Sequence, residues 1–131
     1  MFIDASAIVA LIADEPDRAE IYRKLQSSKR RTMSALSAYE ATLALMRIKN
    51  ITPEQAWQLV DTFRKSFAIK SYPIETDLAK DALNAFVKFG KGNHLAKLNM
   101  GDCFSYACAK RSKQPLLFKG DDFNKTDVDC L

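Results

Sequence analysis

The sequence predicts an α/β protein with a mainly parallel sheet, and three observations carry that prediction. Short apolar runs at residues 2–3, 32–33, 69–72 and 116–118 have the length of strands rather than helices. Longer stretches with apolar residues at helical spacing lie between them, so strand and helix alternate along the chain. With 131 residues and 47% hydrophobic content, the chain suits one domain with a single packed core over residues 1–131.

The elements follow in order. Phe2-Ile3 is a first strand ending at Asp4. From Ser6, the apolar residues Ile8, Val9, Leu11 and Ile12 predict a buried helix that stops near Glu15-Pro16, because the residue before a proline is biased out of the helical region. A second helix, at about 17–26, carries Ala19, Tyr22 and Leu25. Lys29-Arg30-Arg31 is a basic turn before the second strand. A long helix from about 34 to 49 repeats Leu36, Tyr39, Leu43 and Met46. Thr52-Pro53-Glu54-Gln55 is a helix start, with Thr52 as N-cap, Pro53 in the first turn and Gln55 three residues on. That helix presents Ala56, Val60, Phe63 and Phe67. The strand at 69–72 is closed by Pro73, and Thr76 is expected to cap a helix bearing Leu78, Ala82, Phe86 and Val87. Residues 89–101 read as a glycine-containing loop (Gly90, Gly92, Gly101), and Asn99 suits the cap of a helix over about 100–111. After the last strand, Gly120-Asp121-Asp122-Phe123 turns the chain away.

Composition excludes several classes. No apolar run is long enough to span a bilayer, and Met1-Phe2-Ile3-Asp4 does not begin a signal peptide, so a cytoplasmic protein is expected. Cys103, Cys108 and Cys130 are odd in number and form no C-x-x-C, which argues against a disulfide framework or a zinc knuckle. A net charge of +4 permits a polyanionic partner without demanding one. His94 is the only histidine. Metal-free RNA cleavage commonly uses two groups that titrate near neutrality, often two histidines. A hydrolase built on this chain therefore needs a metal ion or a covalent nucleophile.

The carboxylates supply the metal option. Asp4 follows strand one, Glu40 lies in the helix after strand two, Asp102 opens the helix before strand four, and Asp121 and Asp122 follow strand four. In a parallel sheet these places gather on the edge where ligands bind. Two carboxylates roughly 5 Å apart repel by about 3 kcal/mol at an effective dielectric near 20. Such a cluster takes up protons or a hard cation. An all-oxygen set without histidine or cysteine favours Mg²⁺ or Mn²⁺ over Zn²⁺. Each residue also has a plain structural alternative. Asp4 can cap the following helix, Glu40 can face solvent, Asp102 can complement the helix dipole, and Asp121 or Asp122 can serve the turn.

Four ordered segments resemble VapC toxins, which are PIN-domain ribonucleases. They are Met-Phe-Ile-Asp-Ala-Ser-Ala-Ile-Val-Ala (1–10), Ser-Ala-Leu-Ser-Ala-Tyr-Glu (34–40), Phe-Gly-Lys-Gly-Asn-His (89–94) with Leu-Asn-Met-Gly-Asp-Cys-Phe-Ser-Tyr-Ala (98–107), and Leu-Leu-Phe-Lys-Gly-Asp-Asp-Phe (116–123) followed by Thr126-Asp127. The resemblance implies a PIN-like three-layer fold, with a sheet of four or five mainly parallel strands flanked by helices. It also implies an Mg²⁺- or Mn²⁺-dependent endoribonuclease that hydrolyses phosphodiester bonds of cellular RNA with a metal-activated water. By motif, Asp4, Glu40, Asp102 and Asp122 take the acidic catalytic and metal positions, with Asp121 as the alternative to Asp122. Ser6 and Asn99 match polar positions that orient waters or carboxylates. Arg30, Arg31, Lys91 and Lys110 are candidates for the RNA backbone, with Lys29, Lys88 and Arg111 beside them. His94 and Tyr106 are candidates for stacking on a base. The resemblance further implies a cognate VapB-like antitoxin, a homodimer and a toxin–antitoxin hetero-oligomer.

Three other readings compete. A phosphatase or dehalogenase with Asp4 as nucleophile would carry a second aspartate two residues on, where this chain has Ser6. A PIN nuclease outside the toxin class fits the short chain less well. A non-catalytic RNA-binding module would have no use for an intact acidic set.

Overall fold

The short runs become strands, three of them buried on both faces and the one at 70–72, at the sheet edge, largely exposed. In the computed structural model, which describes residues 1–131, these are β1 (Phe2–Ile3), β2 (Thr32–Ser34), β3 (Lys70–Tyr72) and β4 (Leu116–Leu117). Six α-helices surround them: α1 (Ala5–Ile12), α2 (Arg18–Gln26), α3 (Ala35–Lys49), α4 (Pro53–Ser66), α5 (Thr76–Phe89) and α6 (Met100–Ser112). A short 3-10 turn spans Phe123–Lys125. The sheet order is β3-β2-β1-β4, and every pairing is parallel. Beyond β4 a single parallel bridge joins Leu116 to Cys130, so the chain end lies beside the sheet as a rudimentary fifth strand.

Strand alternation divides the core in two. Ile3, Met33 and Leu117 face one side and pack with residues of α1 to α4, among them Ile8, Leu25, Leu45 and Val60. Phe2 and Leu116 face the other side and pack with Leu78, Ala82, Leu98 and Cys108 of α5, α6 and the loop between them. A sheet two or three residues deep thus supports three layers. No helix is long and apolar enough to cross a membrane.

Several expectations are corrected. In α3 the buried positions are Ser37, Ala38, Ala41 and Leu45, while Tyr39 and Leu43 are exposed. Small residues let α3 lie close to its neighbours, so the larger side chains were a poor guide to its inner face. In α5 the inner face is Leu78, Ala82, Ala85 and Phe89, and Phe86 and Val87 point outward. Thr76 does not cap α5: Glu75 holds the cap position, with no side-chain bond. In α2, Ile21 and Leu25 are buried, whereas Ala19 and Tyr22 are exposed. Both expected starts with strong cap chemistry are present. Thr52 and Gln55 form a reciprocal capping box on α4, and Asn99 caps α6.

Candidate active site

Because every strand is parallel, the carboxyl ends of the strands share one edge. Asp4 leaves β1 there with extended backbone (φ −75°, ψ 156°), anchored by its N–H to the Leu117 carbonyl at 2.9 Å. Its side chain caps α1, so the structural alternative for this residue holds alongside its position on the edge. Oδ2 accepts from the Ser6 backbone N–H at 2.9 Å and from the Ser6 hydroxyl at 2.6 Å. Oδ1 accepts from the Ser105 hydroxyl at 2.6 Å. Asp4 is only 5% exposed, and these three donors satisfy a carboxylate that burial would otherwise penalise. Ser6 also accepts from the Lys119 N–H at 3.0 Å, which ties the end of β4 to the start of α1.

Asp102 comes from the other side, on the first turn of α6. It forms a capping box with Asn99: the Asp102 N–H donates to Asn99 Oδ1, and the Asn99 N–H donates to Asp102 Oδ2, both at 2.9 Å. One carboxyl oxygen is thereby fixed at the helix end. Glu40 reaches the same place from α3, and its carboxyl group lies directly over Gly101. A Cβ at position 101 would stand 2.2 Å from both Glu40 oxygens. The place of the Glu40 carboxyl thus depends on a residue with no side chain.

Asp4, Ser6, Glu40, Asn99 and Asp102 line one cleft of about 320 Å³, together with Glu15, Arg47 and Lys119. The electrostatics record the crowding. Glu40 is pushed up to about 7, first by burial and then by the charges of Asp4 and Asp102. Asp102 is pushed up to about 6, again mainly by burial; the Asn99 backbone bond opposes the shift, and Asp4 and Asp122 add to it. Asp122 therefore lies within electrostatic reach of the cleft without lining it. Asp121 is turned elsewhere. It accepts from Asn124 at 3.0 Å and pairs with Lys125 at 3.3 Å, which holds its carboxyl below the usual range.

The donor set suits a hard divalent ion. No three His, Cys, Asp or Glu side chains converge tightly enough to form a ready-made cage. Mg²⁺ does not need one, since it keeps several waters and binds through one or two carboxylates. Oxygen-only donors, with two carboxyl groups raised mainly by burial and further by neighbouring charge, fit such a hydrated ion.

The basic candidates separate by position. Arg31 is spent inside the fold, donating to the carbonyls of Leu25 and Phe67 at 3.0 Å each and lying over the Phe67 ring. Arg30 is exposed but precedes β2, on the sheet edge opposite the carboxylates. Lys110 sits near the far end of α6 and donates to the Asp127 carbonyl at 3.1 Å. Lys88 pairs with Asp127, and Arg111 with Asp77 and Asp81. Lys91 stays exposed in the loop after α5, near His94, while Lys29 is an exposed surface residue. Tyr106 is buried with its hydroxyl on Asp127, so it is a core residue without a face for a base.

Sequence reasoning missed Ser105, Gly101, Glu15, Arg47 and Lys119. Arg47 had a usable signal: Glu40, Ala44 and Arg47 fall at i, i+4 and i+7, one face of α3, and all three line the cleft. Lys119 is paired with Glu15 at 2.5 Å.

Comparison with known proteins places the fold. The PIN domain family model matches residues 1–129. A VapC ribonuclease of Mycobacterium bovis is 41% identical over 128 residues, covering 98% of this chain and 95% of the relative. A ribonuclease VapC of Mycolicibacterium smegmatis is 41% identical over 128 residues, covering 98% and 97%. A VapC ribonuclease of Rhizobium meliloti is 35% identical over 139 residues, covering 97% and 98%. The crystal structure of Mycobacterium tuberculosis VapC20, a toxin that cleaves the sarcin-ricin loop, superposes with a TM-score of 0.77 at 16% identity, over 99% of this chain and 97% of that one. The fold, the ordered acidic segments and these relatives lead to one assignment: the chain belongs to the PIN domain family, among its VapC members.

Proposed function

We propose that this protein is a metal-dependent endoribonuclease, the toxin of a VapBC-type pair, hydrolysing phosphodiester bonds of cellular RNA in the cytoplasm. The observation that carries the proposal is the meeting of Asp4, Glu40 and Asp102, from three separate elements, along one cleft at the carboxyl edge of the sheet. These three would hold Mg²⁺ or Mn²⁺, with Asp122 as the fourth acidic residue because its charge reaches Asp102; Asp121 is the weaker alternative. A bound ion supplies a Lewis acid and lowers the pKa of water near the phosphate. The protein groups do the rest. Ser6 and Ser105 orient Asp4, and Asn99 orients Asp102. Glu40, raised to about 7 in the metal-free cleft, would be drawn to its carboxylate form by the cation it helps to hold. Lys91 and Arg30 are basic side chains without an intramolecular ion pair, and Lys91 is the better placed to meet an RNA backbone.

The partners follow from the same reading: a cognate VapB-like antitoxin, a second copy of the chain, and a hetero-oligomer of both. Two open apolar surfaces support this. One, where apolar and polar residues alternate, runs between α1 and α4 along Ile12, Ile51, Leu59 and Phe67, with Gln55, Gln58 and Thr62 among them. The other lies between α5 and α6, along Leu83, Phe86, Met100 and Phe104.

The test is cleavage of total cellular RNA by the purified chain, freed of co-purifying antitoxin, with Mg²⁺ or with EDTA. Discrete fragments that require metal are expected, and Asp4→Asn should reduce cleavage by more than about 100-fold while keeping the fold. Metal-dependent cleavage by Asp4→Asn at the wild-type rate would overturn the proposal.

A further inference from the structure

A carboxylate offers about four lone-pair positions, and at Asp4 the fold occupies three of them. Oδ2 receives both the Ser6 N–H and the Ser6 hydroxyl, so it is filled. Oδ1 receives the Ser105 hydroxyl, so one position on that oxygen stays open. Ser105 is 3% exposed and lies on α6, three residues after Asp102 and on the same helix face. The helix that presents Asp102 therefore also clamps Asp4 across 101 positions of sequence. Ala107 and Ala109 are buried elsewhere on the same helix, so α6 accepts small apolar residues in its interior. The one hydrogen bond made by the Ser105 hydroxyl goes to Asp4, and serine is a weaker helix former than alanine.

We propose that Ser105 is a positioning residue that, with Ser6, restricts Asp4 to a single metal-facing oxygen and so makes the site selective for small octahedral ions over Ca²⁺. A carboxylate held to one oxygen suits the near-ideal octahedron of Mg²⁺ or Mn²⁺. Ca²⁺ takes more ligands at longer distances and commonly uses both oxygens of a carboxylate. Removing the Ser105 hydroxyl frees Oδ1 and lets the carboxyl group turn. This inference rests on the metal-dependent reading given above.

The test measures binding rather than cleavage. Mn²⁺ is titrated by electron paramagnetic resonance into the full chain, freed of antitoxin, and Mg²⁺ and Ca²⁺ are then used to displace it. Wild type should bind Mn²⁺ and prefer Mg²⁺ to Ca²⁺. Ser105→Ala should bind Mn²⁺ about tenfold more weakly and lose most of the preference over Ca²⁺. Ser105→Thr, which keeps the hydroxyl, should restore the preference. Thermal unfolding in EDTA checks that each variant is folded; should Ser105→Ala unfold, Ser6→Ala opens Oδ2 and carries the same comparison. A folded Ser105→Ala with wild-type Mn²⁺ affinity and ion preference would overturn the role of Ser105 alone. Failure of wild type to bind Mn²⁺ would overturn the metal reading, and this inference with it.

Discussion

An alanine at position 101 would bring a methyl group into the space held by the Glu40 carboxyl, 2.2 Å from each oxygen. The obstructed group is the far end of a flexible side chain, so Glu40 can swing away while the backbone stays in place. Alanine is also a better helix residue than glycine, by as much as about 1 kcal/mol. Gly101→Ala should therefore unfold at or slightly above the wild-type temperature while losing about 100-fold in RNA cleavage, the scale expected when a group in the chemistry is misplaced by an ångström. Calorimetry beside a cleavage assay checks both halves. A second residue-scale prediction follows from Glu40 and Asp102, raised to about 7 and about 6. Between about pH 4 and 7 the folded protein holds protons that the unfolded chain has already released. These two groups therefore stabilise the metal-free protein at the low end of that window, and the contribution is lost as pH rises through their folded values. Glu40→Gln in EDTA should lose less melting temperature than wild type between pH 5 and 8, and Mg²⁺ should raise the wild-type melting temperature more at pH 8 than at pH 5. At this scale the sequence was readable where a residue was costly without a task. Asp4 after a buried strand, and acidic residues recurring at strand ends, stood out for that reason. Ser105 and Gly101 gave no such sign. A serine in a helix and a glycine beside a loop are common, and their importance comes from what lies across a contact 101 or 61 residues away in the chain.

Helix boundaries were legible wherever cap chemistry was strong, as at Thr52 with Gln55 and Asn99 with Asp102. Helix faces were less so. The inner side of α3 is lined by Ser37, Ala38 and Ala41 because the helix packs close, and hydrophobic spacing weighted toward Leu36, Tyr39 and Leu43 selects the wrong stripe. The same closeness lets Glu40 and Arg47 share a cleft with α6. The far end of α6 holds a different lesson. Lys113 terminates it in the left-handed region, at φ 52° and ψ 46°, a conformation that costs a residue with a Cβ and suits glycine. Lys113→Gly should stabilise the protein by roughly 0.5–1 kcal/mol, measured by urea unfolding, with no change in cleavage.

Across the whole molecule, the parallel sheet and its two covered faces were legible from alternating strand and helix, whereas the outer surfaces were not. Phe86 and Val87 were expected inside and instead stand on the outside of α5, where Leu83, Phe86 and Met100 share one surface and are all at least 40% exposed. Apolar side chains gathered in this way on one side suit the proposed self-association. Leu83→Asp should shift the chain from dimer to monomer in light scattering, with the melting curve little changed because Leu83 lies outside the core. A dimer that persists in the variant would place the contact elsewhere. Net charge says less than its distribution. A chain of +4 overall concentrates acid in one cleft, where Arg47 and Lys119 are the basic residues of the lining.

The last residues have a consequence for how the protein keeps to itself. Leu116 donates to the Asp129 carbonyl and accepts from the Leu131 N–H, so the chain end occupies the outer rim of β4. The opposite rim, β3, carries exposed Lys70 and Ser71, a charged border that discourages a stranger's strand. Losing residues 129–131 would uncover a hydrophobic rim with unpaired backbone groups, an invitation to strand addition between molecules and to aggregation. These three residues thus act as a bung on the sheet.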